Sequence, residues 1–188
     1  MGPGRARAED GLVICILRST PSAEARPYLG AVLVRGPAGS CHTALNALSA
    51  QVPCVIAVRA SDAAPCHLPG IAVVDAAARS TETAALVLAA LNWTLVHARM
   101  TPWVATVPGD FSAVPSDLVA RFGLAVSGAK AELAFGVVHG AVLDGLGLWP
   151  THLGRQLAAL VSRDPGASAL KAATGRRVGT VVVAPSTR

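Results

Sequence analysis

The run Gly39-Ser40-Cys41-His42-Thr43 is the stretch whose residue types and spacing could do chemistry. An imidazole stands among two hydroxyls and a thiol. Directly after it come Ala44, Leu45, Ala47 and Leu48, an apolar stripe at helical spacing. Ser40 is a suitable N-cap, so His42 falls in the first turn of the predicted helix. Backbone N–H groups at a helix start point outward and the helix dipole favours negative charge. A phosphate carried on His42 would be stabilised there. The same spacing also fits a plain polar side chain at a helix start, satisfied by backbone or water.

The elements that must position His42 lie on either side of it. Ala31 to Val34 reads as an apolar strand, and Gly36, Pro37 and Gly39 as turn residues. Pro53 ends the helical stretch, and Cys54-Val-Ile-Ala-Val58 is short and fully apolar, as a buried strand is. Leu12–Leu17 and Ile71–Val74 read as two further strands, with a loop rich in Ala, Pro and Asp from Ala60 to Pro69.

This segment resembles the phosphohistidine (swivelling, or mobile) domain of phosphoenolpyruvate-utilising enzymes, the family of pyruvate phosphate dikinase, phosphoenolpyruvate synthase and phosphotransferase Enzyme I. Ser40-Cys41-His42 stands where that family has T-S/C-H, and Val52-Pro53-Cys54-Val55-Ile56-Ala57 where it has I-P-A-V-V-G. Gly11–Cys15 with Ser19-Thr20-Pro21, and Leu68–Asp75, extend the likeness over residues 10–76. The chain departs from the pattern at Pro37 and Ala38 (paired glycines), at Leu48 (an arginine expected near the phosphate) and at Gln51 (a glycine).

The resemblance implies an α/β fold, a phosphohistidine-domain-like mixed β/α sandwich. It also implies a stand-alone phosphocarrier or split subunit with the phosphoryl group on His42. Gly39, Ser40, Cys41 and Thr43 would orient the ring and bind the phosphate, with no cofactor and no metal. The partner would be a separate ATP-binding or phosphoenolpyruvate-binding protein. The alternative is a non-catalytic binding or scaffold protein on the same fold, and a homo-oligomer is open in either case.

Composition bounds these readings. The chain has 188 residues, 52% hydrophobic and only 14% charged, with a net charge of +5. Ordinary domains carry about 25% charged residues. No uninterrupted apolar run reaches the roughly 18–20 residues a spanning helix needs; Ala84–Leu91 is broken by Asn92, Thr94 and His97. The basic excess is scattered, with no run of Lys or Arg interleaved with aromatics, so neither nucleic acid nor membrane is the expected partner. Cys15, Cys41, Cys54 and Cys66 form no C-x-x-C pair, and Cys41, His42, Cys66 and His67 lack zinc-site spacing. Reduced thiols and the absence of an apolar N-terminal h-region give a cytoplasmic expectation.

From Ser80 the composition changes. Helices are expected over Thr81–Met100, Ser116–Phe122, Ala131–Leu146 and Thr151–Arg163, with a last helical turn over Ala167–Ala173. Pro102, Pro108 and Pro115 mark the stretch around Trp103 and Phe111 as a loop. The two helices from Ala131 could also form a helix-turn-helix, although the second offers only Arg155 and Arg163 to a phosphate backbone. Val178–Ala184 is a strand, and its segment resembles the opening of the swivelling domain. The expected organisation is therefore a swivelling domain over residues 1–79, a helical region over 80–174, and a C-terminal strand over 175–188 returning to the N-terminal sheet. His97, His139, His152 and Asp144 sit singly in apolar helical patterns and read as structural.

Overall fold

The computed structural model describes residues 28–35, 41–60, 70–76 and 82–183. The expected strand at 12–17 and the site residues Gly39 and Ser40 lie outside them. Seven strands alternate with four helices: β1 (Tyr28–Val34), α1 (His42–Ser49), β2 (Cys54–Arg59), β3 (Ala72–Asp75), α2 (Thr83–His97), β4 (Trp103–Pro108), α3 (Leu118–Gly128), β5 (Leu133–Val138), β6 (Ala141–Pro150), α4 (Gly154–Arg163) and β7 (Val178–Val182). Short 3₁₀ turns cover Thr151–Leu153 and Ala169–Ala173.

All seven strands share one sheet, in the order β3-β2-β1-β4-β6-β5-β7. Pairing is parallel except on the two sides of β6, which runs against β4 and β5. Period-two alternation divides β1 between two cores. Leu29, Ala31 and Leu33 pack with α2 and with Leu157 of α4; Val32 and Val34 pack with Leu45 and Leu48 of α1 and Phe122 of α3. The chain is thus α/β, three layers deep, with a mostly parallel sheet in the middle.

Several sequence expectations hold here. The strand–helix–strand unit from β1 to β2 forms, as do α2, α4, β3 and β7 within a few residues of their expected bounds, and α3 forms but runs on to Gly128, well past its expected end at Phe122. The long helix over Ala131–Leu146 does not form, and neither does a helix-turn-helix. That stretch is the β5–β6 hairpin. Leu133, Ala134, Phe135, Leu146, Leu148 and Trp149 are buried, some on each face of the sheet, so the buried parts of the two strands show no strand alternation. Its turn is made by His139 and Gly140, both at positive φ (50° and 80°), which suits a two-residue hairpin loop.

The expected loop around Trp103 is a second correction. Trp103–Pro108 is β4, central in the sheet between β1 and β6, with its proline at the strand end. The segment 80–174 is therefore not purely helical, since it supplies three strands. The C-terminal strand joins this sheet, but beside β5 at the edge opposite β3, and not against the N-terminal strands.

His139 is a non-glycine residue in left-handed conformation at an exposed turn. His139→Ile should lower stability by about 1 kcal/mol, because a branched Cβ crowds the backbone at positive φ, whereas His139→Gly or Asn should be neutral or stabilising. Chemical denaturation of the three variants checks the order.

Candidate active-site crevice

In an open α/β sheet, ligands bind outside the carboxyl ends of the strands, where the winding direction switches. The chain leaves β1 through α1 on one face and moves outward to β2 and β3. It returns from β3 through α2 on the other face and enters β4. The switch lies between β1 and β4, and the segments beyond these two strands build the crevice.

β4 ends in the turn Pro108-Gly109-Asp110-Phe111, closed by the Phe111 N–H donating to the Pro108 carbonyl at 3.0 Å. The Gly109 N–H donates to the Leu33 carbonyl of β1 at 2.8 Å. A Cβ at Gly109 would stand 3.1 Å from that carbonyl and 3.3 Å from the Cβ of Cys41, so only glycine fits without a shift. The result is that Asp110, at the turn's third position, is exposed at the carboxyl end of the sheet, directly beside the end of β1.

The loop that carries Asp110 is clamped to α1 by Gln51. Its Nε2 donates to the Pro115 carbonyl at 2.8 Å and to that of Ala47 at 2.9 Å, while its Oε1 accepts from the Val119 N–H at 3.0 Å. One side chain thereby satisfies an orphan donor in the first turn of α3 and a loop carbonyl.

β6 brings a second carboxylate to the same end. Its pairing with β5 slips between Phe135↔Gly147 and Val137↔Val142, so residues 143–146 bulge opposite Gly136. Bulges re-aim side chains and are over-represented beside active sites. The bulge is tied down by Thr106 of β4. Its buried hydroxyl donates to the Gly145 carbonyl at 2.7 Å and accepts from the Trp149 indole N–H at 2.8 Å. Gly145 has φ +86°, and a Cβ there would meet Thr83, Leu33 and Pro108. Asp144 in the bulge accepts a hydrogen bond on Oδ2 from the Thr83 hydroxyl at the start of α2, and its Oδ1 is buried with no partner among the described residues.

The structure scatters the residues that the sequence singles out. His42 and Thr43 are exposed at the first turn of α1, on the connection that leaves β1. Cys41 is the N-cap residue and fully buried, so its side chain faces the core and not a phosphate. Leu48, where the family arginine would stand, is fully buried against β1 and β2. Arg59 and Asp75, opposite each other at the ends of β2 and β3, form an ion pair at 2.6 Å. Among the described residues no group of three or more His, Cys, Asp or Glu side chains gathers as a metal site. Asp110 escapes sequence reasoning because β4 reads as loop. A signal is present nonetheless: a carboxylate directly after a short apolar run ending in Pro-Gly.

A pocket of about 440 Å³ lies elsewhere, between α2, the end of β3 and Val161 of α4. Its lining is mostly apolar (Val74, Leu88, Trp93, Val96) with no cationic side chain, so it is no phosphate site.

No protein-family model matches the chain, and neither does any curated protein sequence. Solved structures do, at the level of fold. An Aquifex aeolicus VF5 protein (Aq1419) superposes with a TM-score of 0.64 at 10% identity, over 86% of this chain and 89% of that one. Molybdopterin-guanine dinucleotide biosynthesis protein A from Archaeoglobus fulgidus gives 0.56 at 10% identity, over 83% of each chain. Rv0371C from Mycobacterium tuberculosis H37Rv, solved in complex with manganese, gives 0.55 at 14% identity, over 86% and 90%.

These likenesses overturn the resemblance to phosphoenolpyruvate-utilising phosphohistidine domains. The swivelling-domain fold, the phosphocarrier role and the scaffold alternative built on that fold go with it. The physical reason is visible in α1 and the sheet: a strand–glycine loop–helix–strand unit is common to many α/β sheets. Here it is the first unit of a seven-stranded one.

The Thr106 knot is testable on its own. Thr106→Val keeps shape but leaves the Trp149 N–H and the Gly145 carbonyl unpaired, and should cost about 2–3 kcal/mol. Denaturant unfolding followed by near-ultraviolet dichroism of the tryptophans measures it.

Proposed function

We propose that this chain is a nucleotidyltransferase-like enzyme that binds a nucleoside triphosphate, with a divalent cation, in the crevice between β1 and β4. The observation that carries the reading is Asp110, an exposed carboxylate fixed on a tight turn beyond β4 at the switch point of the sheet. Support comes from the neighbours in fold: one is a biosynthesis protein for a guanine dinucleotide, and another was solved with manganese.

The residues present suit such a cation. Carboxylate oxygens are the preferred ligands of magnesium and manganese, and neither Asp110 nor Asp144 is in an ion pair among the described residues. Asp110 would hold the ion; when bound, it offsets the charge of the triphosphate. Arg35, directly after β1, is exposed and supplies a permanent positive charge on the other lip. His42 and Thr43, at the first turn of α1, offer side-chain and backbone donors to phosphate oxygens.

The chemistry is a substitution at the α-phosphorus. An acceptor oxygen forms a new P–O bond, the bond to the bridging oxygen breaks, and pyrophosphate leaves with the electron pair. Positioning and charge stabilisation are what the protein has to contribute, and both are available from fixed groups at this edge.

Titrating each of the four ribonucleoside triphosphates in the presence of Mn²⁺, with tryptophan fluorescence or calorimetry as readout, tests the proposal. At least one should bind, and Asp110→Asn should weaken it tenfold or more, about 1.4 kcal/mol, with the fold intact. Absence of binding by the wild-type chain for all four would remove the reading.

A further inference from the structure

We propose that the outer face of α2 is the interface of a twofold dimer of this chain, a reading independent of the nucleotide proposal above. A helix on the outside of a sheet normally turns charged residues to water. Across Thr83–His97 there is no Asp, Glu, Lys or Arg, and only His97 in the last turn can carry a charge. The inward side is accounted for, since Leu86, Val87, Ala90 and Leu91 are fully buried in the core. Ala85, Leu88, Ala89, Asn92, Trp93 and Val96 make a second stripe at helical contact spacing. They line the groove of about 440 Å³ beside β3 and α4 and leave it open at Asn92 and at Val96, which is 61% exposed. Asp75, the one charged residue on this groove, is paired with Arg59, so no net charge is offered to a polar ligand.

The stripe fits its own copy. A twofold axis crossing α2 midway between Ala89 and Asn92 sets two such helices antiparallel. Ala85 then meets the partner's Val96, Leu88 the partner's Trp93, and Ala89 the partner's Asn92. The most exposed valine of the helix falls over an alanine, and the two alanines let the helix axes approach to about 8 Å. The charges obey the same symmetry. Glu82, the N-cap residue, stands at one end of the stripe and Arg99, two residues past His97, at the other. The pairing that matches the apolar residues therefore sets each Glu82 against the partner's Arg99. A parallel arrangement would bring like charges together at both ends, so the ends select the antiparallel one. A helix face about 22 Å long covers less than the roughly 800 Å² per partner of a standard interface, so the dimer is weak and concentration-dependent.

Sedimentation velocity of the full chain, from low micromolar to millimolar concentration, decides the assignment. The wild type should pass from monomer to dimer within that range. Val96→Asp should weaken association tenfold or more. Its melting temperature at low concentration, where the monomer prevails, should be unchanged, because position 96 stands largely in water. Glu82→Arg and Arg99→Glu should each weaken association as well, since each sets two like-charged pairs across the axis. An equimolar mixture of those two variants should dimerise again, because the mixed pair carries opposite charges at both contacts. Damage to folding cannot produce that recovery. A wild type that stays monomeric throughout overturns the proposal. So does a dimer that Val96→Asp leaves intact, or a mixture no more associated than its components. A monomeric wild type whose melting temperature falls in Val96→Asp overturns it too, and assigns the stripe to another part of the same chain.

Discussion

A single hydroxyl, that of Thr106, holds the strand next to the site in its irregular path. The side chain is fully buried, so each of its hydrogen bonds forms without competition from water and each would be expensive to leave unmade. Donation goes to the Gly145 carbonyl, which the bulge has detached from the regular ladder, and acceptance is from the Trp149 indole, the largest fully buried side chain among the described residues. Trp149 is also packed edge-on against Phe135 with ring centroids 5.1 Å apart, so the indole that the hydroxyl anchors is a keystone of the α2–α4 core. Core packing and the placement of a crevice residue thus share one polar contact. Asp144 is presented only because its neighbour's carbonyl is claimed from the next strand.

Gln51 plays a corresponding part on the other face. Its amide spends both ends on the loop and helix that come after Asp110 and on the Ala47 carbonyl of α1, which ties the end of α1 to the start of α3. That bonding explains a departure from the phosphohistidine pattern that has no cause in the sequence alone: a glycine at 51 could make none of these contacts. Leu48 is explained in the same way. An arginine there would put an unpaired charge into the core between α1 and the sheet, where the leucine is fully enclosed.

The legible elements are those with a solvent face or with punctuation at their ends. α1 and α4 announce themselves because a helix with one solvent face keeps its period, and β1 and β2, although β1 is covered on both faces, because a glycine-proline loop and Pro53 mark their limits. β4, β5 and β6 do not, because they lie in the interior of the sheet and both their faces are covered. Their apolar runs carry no alternation, so Ala131–Leu146 passes for a helix and Trp103–Pro108, framed by prolines, for a loop. The candidate site suffers most, since Thr106, Asp110 and Asp144 all belong to those three strands or their ends. His42 does stand at a helix start beside β1, as its spacing predicts. The chemistry assigned to it came from a likeness of local sequence, and a local unit says little about which sheet it opens.

The reversal of β6 has a further consequence for how the site is assembled. In a wholly parallel sheet only the residues beyond each strand reach the carboxyl edge, and all must come from connecting loops. A strand that runs the other way brings its own first half to that edge. Ala141 and Val142 arrive there in the ladder with β5, directly after the hairpin turn at His139 and Gly140, and Thr106 of β4 holds the bulge that follows them. Sites on strands are held more rigidly than sites on loops. Asp110 sits on a turn steadied by Gly109 and Gln51, whereas Asp144 sits within the sheet and is steadied by Thr106 and Thr83. The two carboxylates approach the crevice from independent supports.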